Sequence, residues 1–134
     1  MNSRELTEYW IDTAEKDYVT MHNLYKSGDY HWALFMGHLV LEKLLKACYV
    51  KTTEEHAPRV HDLLRLANLC QLEFDDEMAD KLDAITTFNI NARYPDLKQV
   101  FYKKCTEEFT SKNIMKIEEV RACLNDILQT MSEE

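Results

Sequence analysis

Arg93, Tyr94 and Asp96 put a guanidinium, a phenol and a carboxylate around Pro95, at a point where proline constrains the backbone. A guanidinium so placed can clamp a phosphate with paired N–H donors, while the tyrosine supplies a ring or a hydrogen bond. The same residues also make ordinary structure: an Arg/Asp pair stabilises a loop, and Tyr94-Pro95 can pack that loop onto a bundle.

A second group lies upstream. His38 and Glu42 stand four residues apart inside the apolar run YHWALFMGHLVLEKLLKACYV, a spacing that can orient an imidazole as a base or bind a metal weakly. Two ligands do not specify a metal site, and a structural histidine is the simpler reading. On a helical wheel His31, His38 and Glu42 fall within about 40 degrees, with Lys46 at the edge, so a narrow polar seam runs along a greasy rod. Such a seam lines a pocket, bonds buried backbone groups, or meets its own copy across a symmetric dimer. Lys43 and Lys46 add positive charge beside it or snorkel to solvent. His61-Asp62 fits loop bonding and a helix cap.

Other chemistries lack their residues. There is no HExxH, no GxSxG and no CxxC, and Cys48, Cys70, Cys105 and Cys123 are too scattered to form a redox or zinc set. They are expected to be buried free thiols, and neither a metal nor a cofactor is expected.

These groups need elements to hold them. In 134 residues, 46% apolar and 30% charged, there is material for one hydrophobic core and too little excess charge for disorder. Two glycines and two prolines argue against phosphate loops and turn-rich sheets and favour helices. A net charge of −8 opposes broad attraction to nucleic acid, so duplex DNA is not an expected partner, although a local basic pocket can still take phosphate. The start MNSRELTEYW lacks a basic segment followed by an apolar core, and no 18-residue apolar run follows, so a soluble cytoplasmic chain without a membrane span is expected.

Apolar periodicity predicts a helix over 3–26 (Leu6, Trp10, Ala14, Tyr18, Met21, Tyr25), a turn at Lys26–Asp29 with Asp29 as cap, and a central helix from Tyr30 to Val50. A polar connection over 51–61 precedes a short helix from Asp62 to about Cys70. A further helix begins near Asp76 with Met78, Leu82, Ile85 and Phe88 inward. Asn89–Asp96 reads as a loop, because asparagine favours turns and proline disfavours helix before it. Leu97, Val100, Phe101 and Cys105 allow a short helix, and Ile117, Val120, Leu124, Ile127 and Met131 define a last one with its boundary near residues 111–116. The predicted fold is all-α: an up-and-down four-helix bundle with one or two short accessory helices, forming a single domain over 1–134.

Three stretches in this order resemble the HEPN family, small helical domains of higher eukaryotes and prokaryotes, over about residues 5–131. They are the run from Ala33 through LEKLLKA with Glu42-Lys43 and Lys46-Ala47, HDLLRLA at His61–Ala67, and NARYPD at Asn91–Asp96. Together they are similar to the prokaryotic subgroup that accompanies minimal nucleotidyltransferases. The resemblance implies a bundle that often forms homodimers, a polar cleft near the helix pair and the RYPD-like loop, and roles in nucleotide binding, toxin–antitoxin pairs or RNA cleavage. The ribonuclease branch carries an arginine, then four to six residues, then a histidine, and none of Arg4, Arg59, Arg65, Arg93 or Arg121 has a histidine at that spacing, so no catalytic pair is assigned. The expected function is noncatalytic nucleotide binding or interaction with a separately encoded minimal nucleotidyltransferase. In it Arg93 contacts phosphate, Tyr94 shapes the cleft and His38 or Glu42 orients polar groups, with Asp96 and Lys46 alongside. The alternatives are a metal-independent RNase toxin using Arg93 with His38 or His61, and a noncatalytic structural dimer.

Overall fold

The computed structural model describes residues 1–133. Among them are six helices, α1 (Ser3–Lys26), α2 (Tyr30–Thr53), α3 (Leu63–Leu69), α4 (Asp76–Arg93), α5 (Pro95–Lys104) and α6 (Glu107–Glu133), and no strand. Four are long and two are short, as the periodicity predicts.

Short polar residues start these helices by taking up orphan amides. Asn2 accepts from the Glu5 amide at 2.8 Å, Asp62 from Arg65 at 3.1 Å, Asp75 from Met78 at 2.8 Å and Thr106 from Phe109 at 3.2 Å. Asp29, the expected cap of α2, makes no such bond and accepts instead from the Ser27 hydroxyl at 2.6 Å. Gly28 takes φ of +83°, which lets three residues return the chain from α1 into α2.

Residue pairs give the directions. Met21 approaches Gly37, Asp17 meets Lys43 and Trp10 meets Lys46, so α1 and α2 are antiparallel. His22 pairs with Glu118 and Glu15 with Arg121, opposing α6 to α1. Lys81 pairs with Glu119 and Phe88 with Phe109, opposing α4 to α6. The long helices therefore run up, down, up and down. At the centre is α2, which contributes Ala33, Leu34, Val40, Leu41, Leu44, Leu45, Ala47, Cys48 and Val50 to the core.

Several boundaries differ from the sequence reading. Residues 51–53 continue α2, which stops at Glu54 with a left-handed φ of 58°. The expected loop at Asn89–Asp96 is helix through Arg93, because Phe88, Asn89 and Ala92 are buried and packing overrides the turn tendency of asparagine. Only Tyr94 is extended, as Pro95 demands, and Pro95 then opens α5 as its first residue. Within α5, Phe101 is buried while Leu97 and Val100 are exposed. Helix α6 begins at Glu107, earlier than the proposed boundary.

Cys48, Cys70 and Cys105 are buried free thiols and Cys123 is half-buried. Burial pushes Cys48 and Cys70 up to about 12 and Cys105 to about 11, which makes these thiols inert. No helix among the described residues is long and apolar enough to cross a membrane.

Gly37 lets α2 and α6 approach closely: a Cβ there would run into the Cδ1 methyl of Ile117. Gly37→Ala is expected to gain little or lose stability, despite a helix-propensity gain of about 1 kcal/mol. In an Ile117→Val background, which removes that methyl, the same change should be stabilising. Urea unfolding of the four proteins measures this coupling.

Candidate functional site

A helix buried nearly all round leaves its polar side chains no water, so each must find a protein partner. His38 on α2 is 0% exposed. Its Nε2 lies 2.8 Å from the His61 carbonyl, which only accepts, so Nε2 carries the proton and Nδ1 is left as the acceptor. Asn89 on α4 fills that position, its amide Nδ2 lying 3.3 Å from Nδ1. The amide's orientation is independently fixed, because its Oδ1 accepts from Arg93 Nη2. Arg93 Nε also donates to the Asn89 carbonyl at 3.1 Å. The chain Arg93, Asn89, His38, His61 is consistent in every donor and acceptor.

Glu42, one turn beyond His38 on α2, is also buried. Its Oε1 accepts from His61 Nδ1 at 2.7 Å and its Oε2 from Lys46 Nζ at 3.1 Å. The ammonium of Lys46 lies 5.4 Å from the centre of the Trp10 ring. Glu42 Oε1 is 4.0 Å from His38 Nδ1, too far for a hydrogen bond. Burial holds the His38 pKa below its ordinary value, against the opposing effects of the His61 carbonyl and Glu42, and the ring is neutral in the folded state.

Two side chains emerge from this buried network. The His61 side chain is 60% exposed, with Nδ1 held by Glu42 and Nε2 free. Arg93 is exposed at the end of α4, with its guanidinium 5.7 Å from the Tyr94 ring centre. Two of its five N–H groups are used by Asn89, leaving three directed elsewhere. Among the described residues it forms no ion pair.

The structure thus brings Arg93, His38, Glu42 and Lys46 into one linked cluster. Tyr94 flanks Arg93 at the break between α4 and α5. Asp96 stands exposed in the first turn of α5 and does not pair with Arg93, so the Arg/Asp loop pair considered from the sequence is absent among the described residues. His31 also falls away from the cluster, lying against Tyr102 of α5. Lys43 pairs with Asp17 at 2.6 Å on the side of α1.

Sequence reasoning does not find Asn89 as a site residue, and it reaches His61 only through the RNase alternative. Asn89 was legible in principle: it follows Ile85 by four and precedes Arg93 by four, a polar residue at a core position of α4. His61 sits in a connection where periodicity is silent, and only its place before the Asp62 cap was readable.

Arg93 and the His61 ring form the exposed part of the site. Cavities of about 570, 560 and 290 Å³ are lined by other residues, none by Arg93, His38 or Glu42. Among the described residues no group of three or more His, Cys, Asp or Glu side chains is arranged to hold a metal ion.

A model of the HEPN domain matches residues 7–127. The crystal structure of TT1696 from Thermus thermophilus is similar in fold, with a TM-score of 0.76 over 90% of this chain and 96% of that chain at 18% identity. A comparison with curated proteins finds no match.

Burial of His38 in its neutral form has a consequence for stability. Its folded pKa lies below the ordinary 6.5, so the unfolded chain takes up the proton first. The contribution is therefore full above about pH 6.5 and is lost as pH falls toward the depressed folded value. His31, also lowered by burial, acts with the same sign. Urea unfolding from about pH 8 to 5 should show stability falling on the acid side, and His38→Gln should flatten that slope whatever it does to the value at pH 8.

Proposed function

The chain belongs to the HEPN domain family, and from that premise we propose that it binds the phosphate of a nucleotide or an RNA strand through Arg93 without cutting it, working with a separately encoded minimal nucleotidyltransferase in a toxin–antitoxin-like pair. The observation that carries this reading is how Arg93 is held. Of the sixteen lysines and arginines, Arg4, Lys43, Lys46, Lys81, Lys112 and Arg121 each meet a carboxylate and the other ten form no ion pair among the described residues. Arg93 instead takes both of its acceptors from Asn89, which is neutral. Its charge is uncompensated in a chain of net −8, its orientation is fixed, and three donors are left for a phosphate.

His38 orients Asn89 and so positions Arg93 at one remove, without touching ligand itself. Tyr94 offers a ring beside the guanidinium. The likeness of HDLLRLA and NARYPD to chains that accompany minimal nucleotidyltransferases supports the partner. Ile90, Tyr94, Leu97 and Val100, exposed around the α4–α5 break, support a contact surface there for a second copy or that partner.

One observation favours a second reading, metal-independent RNA cleavage. His61 has a buried carboxylate on one ring nitrogen and solvent on the other, an arrangement suited to moving a proton. Arg93 would then stabilise phosphate. His38 is unsuited to that step, since both of its nitrogens are engaged away from water.

Titration with ATP, GTP and short RNA at several salt concentrations separates these readings, with circular dichroism as the folding control. Arg93→Ala is expected to weaken binding by about tenfold or more, and Arg93→Lys to recover it only in part because the fork is lost. Binding indifferent to Arg93→Ala would remove the phosphate role. RNA cleavage that disappears in both Arg93→Ala and His61→Ala, with helicity retained, would replace the noncatalytic reading by the enzymatic one.

A further inference from the structure

Two faces of α5 meet the rest of the molecule by different means. One is apolar: the helix buries a single side chain, Phe101, whose ring stacks on Phe88 of α4 at 5.6 Å between centres. The other carries Lys98 and Tyr102, one turn apart, against the first turn of α2. Contact there consists of rings and a cation. Tyr102 stands edge-on to His31 at 5.2 Å between centres, and Lys98 Nζ lies 4.7 Å from the centre of Trp32. Among the described residues no hydrogen bond or ion pair joins α5 to α2. Both ends of α5 are bends, since Tyr94 before it is extended and Cys105 after it is non-helical.

His31 lies beneath the second face. It is 7% exposed, and its Nδ1 is shut off from solvent with no hydrogen-bond partner. A buried polar atom left unpaired is rare in a native protein. In a neutral ring that atom wastes either a lone pair or an N–H. The imidazolium is worse off, because it carries a proton on both nitrogens and nothing accepts the one at Nδ1. The groups around the ring act mostly in the same direction. From α5 come the ammonium groups of Lys98 and Lys103 and the Tyr102 phenol, and from the connection to α6 comes the Cys105 thiol. On its own end of α2 stand the Tyr30 phenol and the Asp29 carboxylate; Asp29 favours the charged ring but is also tied to the Ser27 hydroxyl at 2.6 Å. Burial, helped by Lys98, outweighs Asp29 and holds the His31 pKa below its ordinary 6.5.

We infer that the contact between α5 and the start of α2 is a pH-sensitive latch, closed over the neutral His31 ring and released when that ring takes up a proton. Release rolls the Lys98–Tyr102 face off α2 and gives Nδ1 water as its acceptor, while Phe101 keeps its stack on Phe88 as the pivot. The ring binds a proton more readily in the open form, so lowering the pH favours opening. Above about pH 6.5 the latch is closed. Below it the open-to-closed ratio rises by up to about tenfold per pH unit, until the pH reaches the depressed value of the closed form. The latch does not rest on the phosphate reading, yet it adjoins that site: Tyr94, the bend before α5, carries the ring beside the Arg93 guanidinium.

Nuclear magnetic resonance of the full chain tests this between pH 7.5 and 5.5. The Lys98 ε-methylene protons, displaced by the Trp32 ring when the latch is closed, should move toward their unstructured shift with the same midpoint as the His31 ring. Relaxation dispersion at Trp32 Nε1 should show the minor population growing by up to about tenfold over that range. His31→Gln should make both signals level with pH, whatever the population at pH 7.5. His31→Phe keeps a ring that cannot charge and should do the same, which covers the case where His31→Gln loosens the contact or fails to fold. Amides of Leu41 and Leu45 in the core of α2 should stay protected throughout. A His31 ring that titrates at its ordinary value would overturn the latch, as would Lys98 and Trp32 signals that stay flat while His31 titrates. So would a pH response that survives in the folded His31 variants, or one that appears only together with loss of protection at Leu41 and Leu45.

Discussion

A neutral imidazole with no access to water must have a donor on one ring nitrogen and an acceptor on the other, and His38 imposes that condition at the middle of the central helix. Leaving either nitrogen unmatched would cost about 1–3 kcal/mol, a large share of the stability of a small domain. The condition reaches well beyond α2. It draws the carbonyl of His61 inward, which settles where the connection from α2 enters α3, and it requires a donor from α4, which Asn89 supplies. Asn89 reaches the ring from within α4, so the continuation of that helix past Phe88, secured by the burial of Phe88, Asn89 and Ala92, is what presents its amide to His38.

From that buried centre the two exits differ in electrostatic character. Toward His61 the network passes through Glu42, a carboxylate shared between an imidazole and the Lys46 ammonium. Charge is balanced within the protein on that side, and what is presented to solvent is a ring nitrogen. Toward Arg93 the network passes through a neutral amide and a backbone carbonyl, so nothing within the protein balances the guanidinium. The first exit suits transfer of a proton, the second retention of an anion. The noncatalytic and the enzymatic readings differ in whether a ligand engages one exit or both.

How far the sequence revealed this depends on the kind of signal. Polar residues inside the apolar run of α2 were visible as a seam because burial and periodicity act together there, and Pro95 marked the break correctly because its effect on Tyr94 is steric and local. Asn89 was obscured by its own turn tendency, a preference of well under 1 kcal/mol that packing of its neighbours reverses. The wheel also grouped His31 with His38, since seven residues return to nearly the same face. It carries no information about height: seven residues are about 10 Å along the axis, enough to put one ring under α5 and the other under the His61 connection. His61 was beyond periodicity altogether, because its position comes from a tertiary bond to Glu42 rather than from any helix.

The proline that ends α4 has a longer-range effect. By turning the chain after a single extended residue, it lays α5 across the start of α2, where Trp32 and His31 are already held by the core. Carboxylates are concentrated on α1, on the approach to α4 and on α6, and there they take up Lys43, Lys81, Lys112 and Arg121. Helix α5 carries one carboxylate, and that one stands in its first turn, where it suits the positive end of the helix dipole. Two of its lysines consequently settle against rings, whose faces attract a cation without cancelling its charge. An acidic protein thus keeps a positive surface on the helix that follows its proline break, and the side chains that lie against two of those lysines are aromatic ones.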